Sequence, residues 1–254
     1  MEYNKQYYWA GKEARAVSAK EHVDRTEKMF RNEIENSVKK SRIYRGNLTE
    51  ETTEEKALPA FKLINTDSVT AIFNESNGRT AVLNFASYKN PGGMFLKGSR
   101  AQEECLCSES VLYSVLSRNQ DYYIRNRLEL NHSLYKNAAI YSEDVVFVRE
   151  GSMKYCDVIT CAAPNKASAI KYSMISDSEN DKALSSRIHF IRMIAEKEHV
   201  ETLILGAYGC GVFGQDPVLV ADLFKKEFKK TSIKNIVFAV PGNDSNYAAF
   251  RACF

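Results

Sequence analysis

Two adjacent carboxylates, Glu103 and Glu104, close a glycine-rich stretch that begins at Asn84 and contains Asn90-Pro-Gly-Gly-Met-Phe-Leu-Lys-Gly98 and then Arg100-Ala-Gln-Glu-Glu104. Adjacent residues on a helix diverge by about 100°, so neighbouring carboxylates in a first turn reach different atoms of one substrate. Such a pair suits general acid–base chemistry. A partly buried Glu beside another carboxylate holds its proton to higher pH, as an acid must. The bland alternative for Gln102-Glu103-Glu104 is an acidic helix start favoured by the helix dipole. Gly92, Gly93 and Gly98 allow positive φ and close backbone approach, and N–H groups leading into a helix attract an anion. That loop therefore suggests phosphate.

A second glycine-rich stretch, Gly206-Ala-Tyr-Gly-Cys-Gly-Val-Phe-Gly-Gln-Asp-Pro217, lies between an apolar run and a helical pattern. Asp216 suits the N-cap and Pro217 the first turn of that helix. It lacks the Gly-Lys-Ser/Thr of a P-loop.

The elements that must position these loops follow from periodicity. Strands are predicted at 61–65, 80–85, 139–141, 145–148, 155–163, 201–206 and 233–240. Helices are predicted at 68–73, 101–117, 185–198, 217–228 and 246–254. Asp67 follows the first strand and suits a helix cap. Strands alternating with helices imply an α/β domain with a largely parallel sheet covered on both faces, and ligands of such sheets bind at the carboxyl ends of strands. Asp67 and both glycine loops follow strands, so all three converge on one crevice. Residues 1–58 read as a helical N-terminal extension, with Val23, Phe30, Ile34 and Val38 on one face, Ile43 near its edge and a loop over Gly46–Lys56. Residues 59–254 form the main domain.

The composition bounds the function. The 254 residues, 44% hydrophobic and 26% charged, suit one sizeable core. A net charge of only +3 argues neither for a nucleic-acid groove nor for a membrane-surface protein, although the balance leaves room for a local basic patch. Met1–Ser18 shows no secretory pattern and no apolar run approaches the roughly 20 residues of a membrane span, so a cytoplasmic protein is expected. The six cysteines read as structural thiols. Cys105 and Cys107 point to different sides of a helix, and His22, His132, His189 and His199 show no ligand spacing, so no metal and no cofactor are expected. Tyr122, Tyr123, Arg125 and Arg127 read as a solvated face with packed tyrosines. Oligomeric state is not legible.

Taken together, the two glycine motifs resemble the microbial type of poly(ADP-ribose) glycohydrolase, a branch of the macrodomain superfamily, over residues 59–254. The resemblance implies a three-layer α/β/α macrodomain-like mixed sheet and hydrolysis of an ADP-ribosyl glycosidic bond, releasing ADP-ribose. It implies Glu104 as the general acid, Glu103 as the holder of the distal ribose hydroxyls, and Gly92, Gly93 and Gln102 in the same loop. Gly209, Cys210, Gly211, Val212 and Gly214 would present amides to the diphosphate, and Phe213 would orient the distal ribose. Asp67 would take the adenine amino group, with Asn84 and Asn90 near the distal ribose. Met94 stands where the family usually has a third glycine. Two alternatives stay open: a hydrolase of mono-ADP-ribosylated protein, on an arginine or acidic linkage, and a non-catalytic ADP-ribose-binding macrodomain. The expected partner is ADP-ribose or an ADP-ribosylated protein, with no nucleic acid and no membrane.

Overall fold

Short apolar runs alternating with amphipathic segments build one seven-stranded mixed sheet. The computed structural model describes residues 5–49 and 56–254. The strands are β1 (Arg42–Arg45), β2 (Ala60–Ile64), β3 (Thr80–Phe85), β4 (Ala138–Arg149), β5 (Ser152–Cys161), β6 (Thr202–Leu205) and β7 (Asn235–Ala239), in the order β1-β4-β5-β3-β6-β7-β2. From β5 to β2 every neighbouring pair is parallel, whereas β1-β4 and β4-β5 are antiparallel. The carboxyl ends of β3, β6, β7 and β2 therefore share one edge.

Side-chain alternation divides the core. In β3, Val82 packs toward one face, and Ala81 and Leu83 toward the other, the period of two that a pleated strand imposes. The first face is covered by α1 (Lys5–Met29), α2 (Arg31–Lys40), α3 (Ser68–Glu75), α4 (Gln102–Ser108), α5 (Leu112–Ser117) and α6 (Gln120–Leu128), through side chains such as Ala19, Ile34, Leu106 and Leu112. After α7 (Lys166–Ser173), the second face is covered by α8 (Asp177–Lys197), α9 (Pro217–Glu227) and α10 (Ser245–Cys253), through Ile188, Phe224 and Phe250. The result is the three-layer α/β/α arrangement. Among the described residues no helix is long and apolar enough to cross a membrane.

Three elements differ from their sequence reading. The helix expected over 101–117 is two, α4 and α5. At the break the backbone turns aside to pair with β4, Val111 donating to the Val146 carbonyl at 3.0 Å and Val148 to the Glu109 carbonyl at 2.8 Å. Arg42–Arg45, expected inside the helical extension, is the edge strand β1 with Ile43 42% exposed, because its backbone pairs with Ala138–Tyr141. Within the tyrosine-rich segment α6 buries Tyr122 and Tyr123 and leaves Arg125 and Arg127 outside. Of the expected loop over Gly46–Lys56, residues 50–55 lie outside the described residues.

The first helix is seated on the glycine loop. Arg15 Nε donates to the Gly98 carbonyl at 2.8 Å, and the His22 ring meets Phe95 edge-on and lies 2.8 Å from the Ser110 carbonyl. Gly98 has φ +72°, and a Cβ there would lie 1.9 Å from the backbone oxygen of Lys12. A side chain at this position therefore meets both an unfavourable backbone conformation and the body of α1. Gly98→Ala is expected to cost about 2 kcal/mol or more, read as a lower urea midpoint together with faster proteolysis within α1. An unchanged midpoint would refute the seating of α1 on the glycine loop.

Candidate active site

The loop after β3 spends its amides on its own carboxylates. Glu103 is buried, with Oε2 accepting from the Ser87 amide at 2.7 Å and Oε1 from Asn84 Nδ2 at 3.2 Å. Glu104, also buried, accepts from the Met94 amide through Oε1 and from the Ala101 amide through Oε2, each at 2.9 Å. Gly93 separates the two: a Cβ there would lie 2.6 Å from Glu104 Oε1 and 2.9 Å from Glu103 Oε2, and its φ is +60°. Beneath the loop, a Cβ on Gly92 would lie 2.7 Å from the Tyr113 ring and 3.2 Å from Cys107 Sγ. The acceptors that this loop's amides hold are thus its own two carboxyl groups, where the sequence suggested phosphate.

Gln102 ties the pair to the sheet. Its Oε1 accepts from the Phe85 amide at 2.8 Å, and its Nε2 donates to the Leu83 carbonyl at 2.9 Å and to Ser68 Oγ at 3.1 Å. Asn84 Nδ2 also reaches Thr160 Oγ1 at 3.3 Å, while its Oδ1 is buried with no partner among the described residues. Asn90 is exposed on the loop.

The loop after β6 does the opposite. Gly209 and Gly214 adopt φ of +77° and +71°, and a Cβ on Gly209 would lie 2.9 Å from Ala163 Cβ. Cys210 and Gly214 turn their amides into the loop, onto the carbonyls of Ala207 and Gly211. The amides of Gly209, Gly211, Val212 and Phe213 have no partner among the described residues, which leaves a set of free donors suited to an anion. Val212 is 88% exposed, and Phe213 is half-buried against Tyr135.

A cavity of about 590 Å³ runs between these loops, lined by Asp67, Gln102, Gly209, Gly211, Val212 and Phe213 among others. Such a volume suits a nucleotide-sized ligand. At one end Asp67 caps α3 through the Val69 and Thr70 amides, both at 2.9 Å, and takes Arg149 Nη2 at 3.1 Å. Burial pushes the Asp67 carboxyl up, but donation from Thr70 and Arg149 outweighs it and holds the group below its ordinary range. Asp67 is therefore both a cap and a charged acceptor in the cavity wall. Met94 does not line the cavity; it is 39% exposed at φ −113°, a conformation open to any residue.

Some residues that shape or line the cavity have no assigned role in the sequence reading. Arg149 clamps Asp67 from the far end of β4, and only tertiary pairing brings it there. Val240, Pro241, Asp244 and Asn246 line the cavity from the turn after β7; Pro241-Gly242 after a predicted strand was the available signal. Arg100, one residue before Ala101, also lines it.

Comparison with known proteins follows the same lines. A family model described as the microbial-type PARG catalytic domain matches residues 10–150. Among solved structures, poly(ADP-ribose) glycohydrolase from Thermomonospora curvata is 26% identical, with a TM-score of 0.84 over 95% of this chain and 100% of that one. The same protein bound to the inhibitor ADP-HPD gives 26% identity and a TM-score of 0.83, again over 95% and 100% of the two chains. The glycohydrolase from Deinococcus radiodurans in complex with ADP-ribose is 28% identical, with a TM-score of 0.78 over 87% of this chain and 96% of that one. No curated protein matches.

One consequence concerns pH. Burial pushes the Glu103 carboxyl up to about 8; donation from Ser87, Asn84 and Gly92 opposes this, and the charge of Glu104 adds to it. Between its ordinary 4.5 and about 8 the folded chain keeps a proton that the unfolded chain has lost. Stability therefore falls as pH rises through that window, by up to about 1.4 kcal/mol per pH unit. Glu103→Gln is expected to flatten the decline, measured by thermal melts from about pH 5 to about pH 8. Parallel profiles for wild type and variant would refute the buried proton.

Proposed function

This chain belongs to the microbial-type poly(ADP-ribose) glycohydrolase family, and from that premise we propose how its own residues divide the work of the reaction. It is a glycosidase-type hydrolase acting on the ADP-ribosyl glycosidic bond. The observation that carries the residue assignment is the pair of buried carboxylates held by loop amides on either side of Gly93.

The substrate is ADP-ribose attached at its distal ribose. Its adenine lies at the Asp67 end, where the ionised carboxylate accepts from the amino group. Its diphosphate takes the free amides of Gly209, Gly211, Val212 and Phe213, and the Phe213 ring braces the distal ribose. Glu103, protonated up to about pH 8, and the unpartnered Oδ1 of Asn84 engage ribose hydroxyls. Each oxygen of Glu104 takes one amide and keeps a further lone-pair site, so the carboxyl has a fixed direction and a face left for substrate. Glu104 gives its proton to the leaving oxygen as the anomeric bond breaks, then takes one from the water that attacks the oxocarbenium-like carbon. Held charges and dipoles around that carbon favour the transition state without rearrangement.

Poly(ADP-ribose) is the substrate we assign. The backbone amide at position 94 holds Glu104, while the methionine side chain stands outside the cavity and leaves polymer cleavage open. Glu104→Gln is expected to lower kcat on poly(ADP-ribose) about a thousandfold while changing the ADP-ribose Kd by less than about threefold. Release of ADP-ribose is followed by chromatography and binding by calorimetry. Retained turnover would remove Glu104 from the acid's role, and an inert wild type with tight ADP-ribose binding would make the protein a reader.

A further inference from the structure

A second cavity, of about 410 Å³, lies between α1 and the end of the glycine loop. Its wall carries Arg15, His22 and Arg25 from α1, Ser99 and Arg100 from the loop, and Glu104 from α4. Arg100 and Cys105 line both this cavity and the larger one, so the two are neighbours across the first turn of α4.

The charge balance in the second cavity is positive. Arg15 is committed to the Gly98 carbonyl through Nε. Arg25 and Arg100 have no hydrogen bond or ion pair among the described residues. The other carboxylate in the wall, Glu109, is already gripped by Arg149. Burial, helped by the charge of Arg25, holds the His22 ring below its ordinary range, so at neutral pH it contributes a dipole and not a cation. Two uncommitted guanidiniums lining a concave surface suit a multi-oxygen anion such as a phosphate, since each planar fork can take two of its oxygens.

Glu104 decides which anion. As the group that protonates the leaving oxygen, it faces the leaving group, and it lines this second cavity. In a polymer of ADP-ribose the leaving oxygen belongs to the adenosine ribose of the neighbouring unit, and that unit carries its own diphosphate. An amino-acid leaving group carries none. We propose that the cavity beneath α1 is a leaving-group subsite that binds the diphosphate of the neighbouring ADP-ribosyl unit through Arg25 and Arg100. The proposal rests on the hydrolase assignment of the main cleft and extends it: α1 becomes part of substrate recognition, and the preference for polymer over a single attached ADP-ribose has a physical source.

The test compares two ligands, ADP-ribose and a short purified poly(ADP-ribose) oligomer, by equilibrium binding in a Glu104→Gln background. It is run with Arg25 intact, with Arg25→Glu, and with Ser18→Glu, an exposed position on the same wall. The oligomer should bind about tenfold tighter than ADP-ribose when Arg25 is intact. Both variants should remove most of that advantage and leave the ADP-ribose affinity unchanged. In the otherwise wild-type enzyme, Arg25→Glu should raise KM for the polymer about tenfold and leave turnover of a mono-ADP-ribosylated protein unaltered. Equal affinities for the two ligands, or an advantage that neither variant touches, would overturn the subsite. A variant that weakens both ligands alike would show a structural effect and also overturn it. An Arg25-dependent advantage in a protein that cleaves nothing would uphold the subsite and sink the hydrolase mechanism, so the two readings fail separately.

Discussion

The structure turns on the burial of two neighbouring carboxyl groups inside a turn of backbone. Taking a carboxylate out of water costs several kcal/mol, and a hydrogen bond to a charged group contributes roughly 1.5–3 kcal/mol. A single donor does not offset that cost. Glu104 receives two amides, and Glu103 receives an amide and a side-chain donor and is eased further by keeping a proton. Amides from Ser87, Met94 and Ala101 converge inward only if the chain folds back sharply between them. That explains the left-handed backbone at Gly92, Gly93 and Gly98. At Gly93 the approach of both carboxyls also leaves no space for a Cβ. Gly98 extends the consequence outward, because the same absence of a side chain lets α1 lie directly on the loop.

The two glycine loops are similar in composition and opposite in use. After β3 the amides point inward onto internal carboxyl groups; after β6 four of them have no partner among the described residues, an arrangement that welcomes an external anion. Neighbouring parallel strands place the loops side by side, since Thr80–Val82 pairs with Thr202–Ile204 in register. Strand order thus sets the fixed internal charge of the first loop against the free donors of the second. Under the proposed assignment, a diphosphate on the second loop brings the attached sugar to the first.

Most of the strands, the caps at Asp67 and Asp216, and the existence of both loops were legible because each depends on residues close in sequence. What escaped depends on partners far along the chain. The break between α4 and α5 comes from the pairing of 109–111 with β4, and nothing local in Ser-Glu-Ser-Val announces it. β1 is a strand only because β4 offers an edge. Arg149 reaches Asp67 across 82 positions. The direction in which a glycine loop aims its amides is likewise set by what it packs against. The same composition read as a phosphate site in both loops, whereas the first holds the protein's own acids. Burial raises the carboxyl of Glu103, the member of the pair that the family resemblance assigns to the ribose hydroxyls.

Met94 shows how a departure from a family pattern is to be weighed. A third glycine would matter if the position needed a left-handed backbone or if its Cβ met a neighbour. Neither holds: φ is −113° and the side chain is exposed. What the loop requires of position 94 is its N–H, and any residue except proline supplies one. Gly93 and Gly98 are the positions with no such freedom, one held by the two carboxyls and the other by α1. A substitution at 94 therefore leaves the carboxyl pair in place. Under the proposed subsite, differences in substrate preference arise where an attached group first meets the protein, on the α1 side of Glu104.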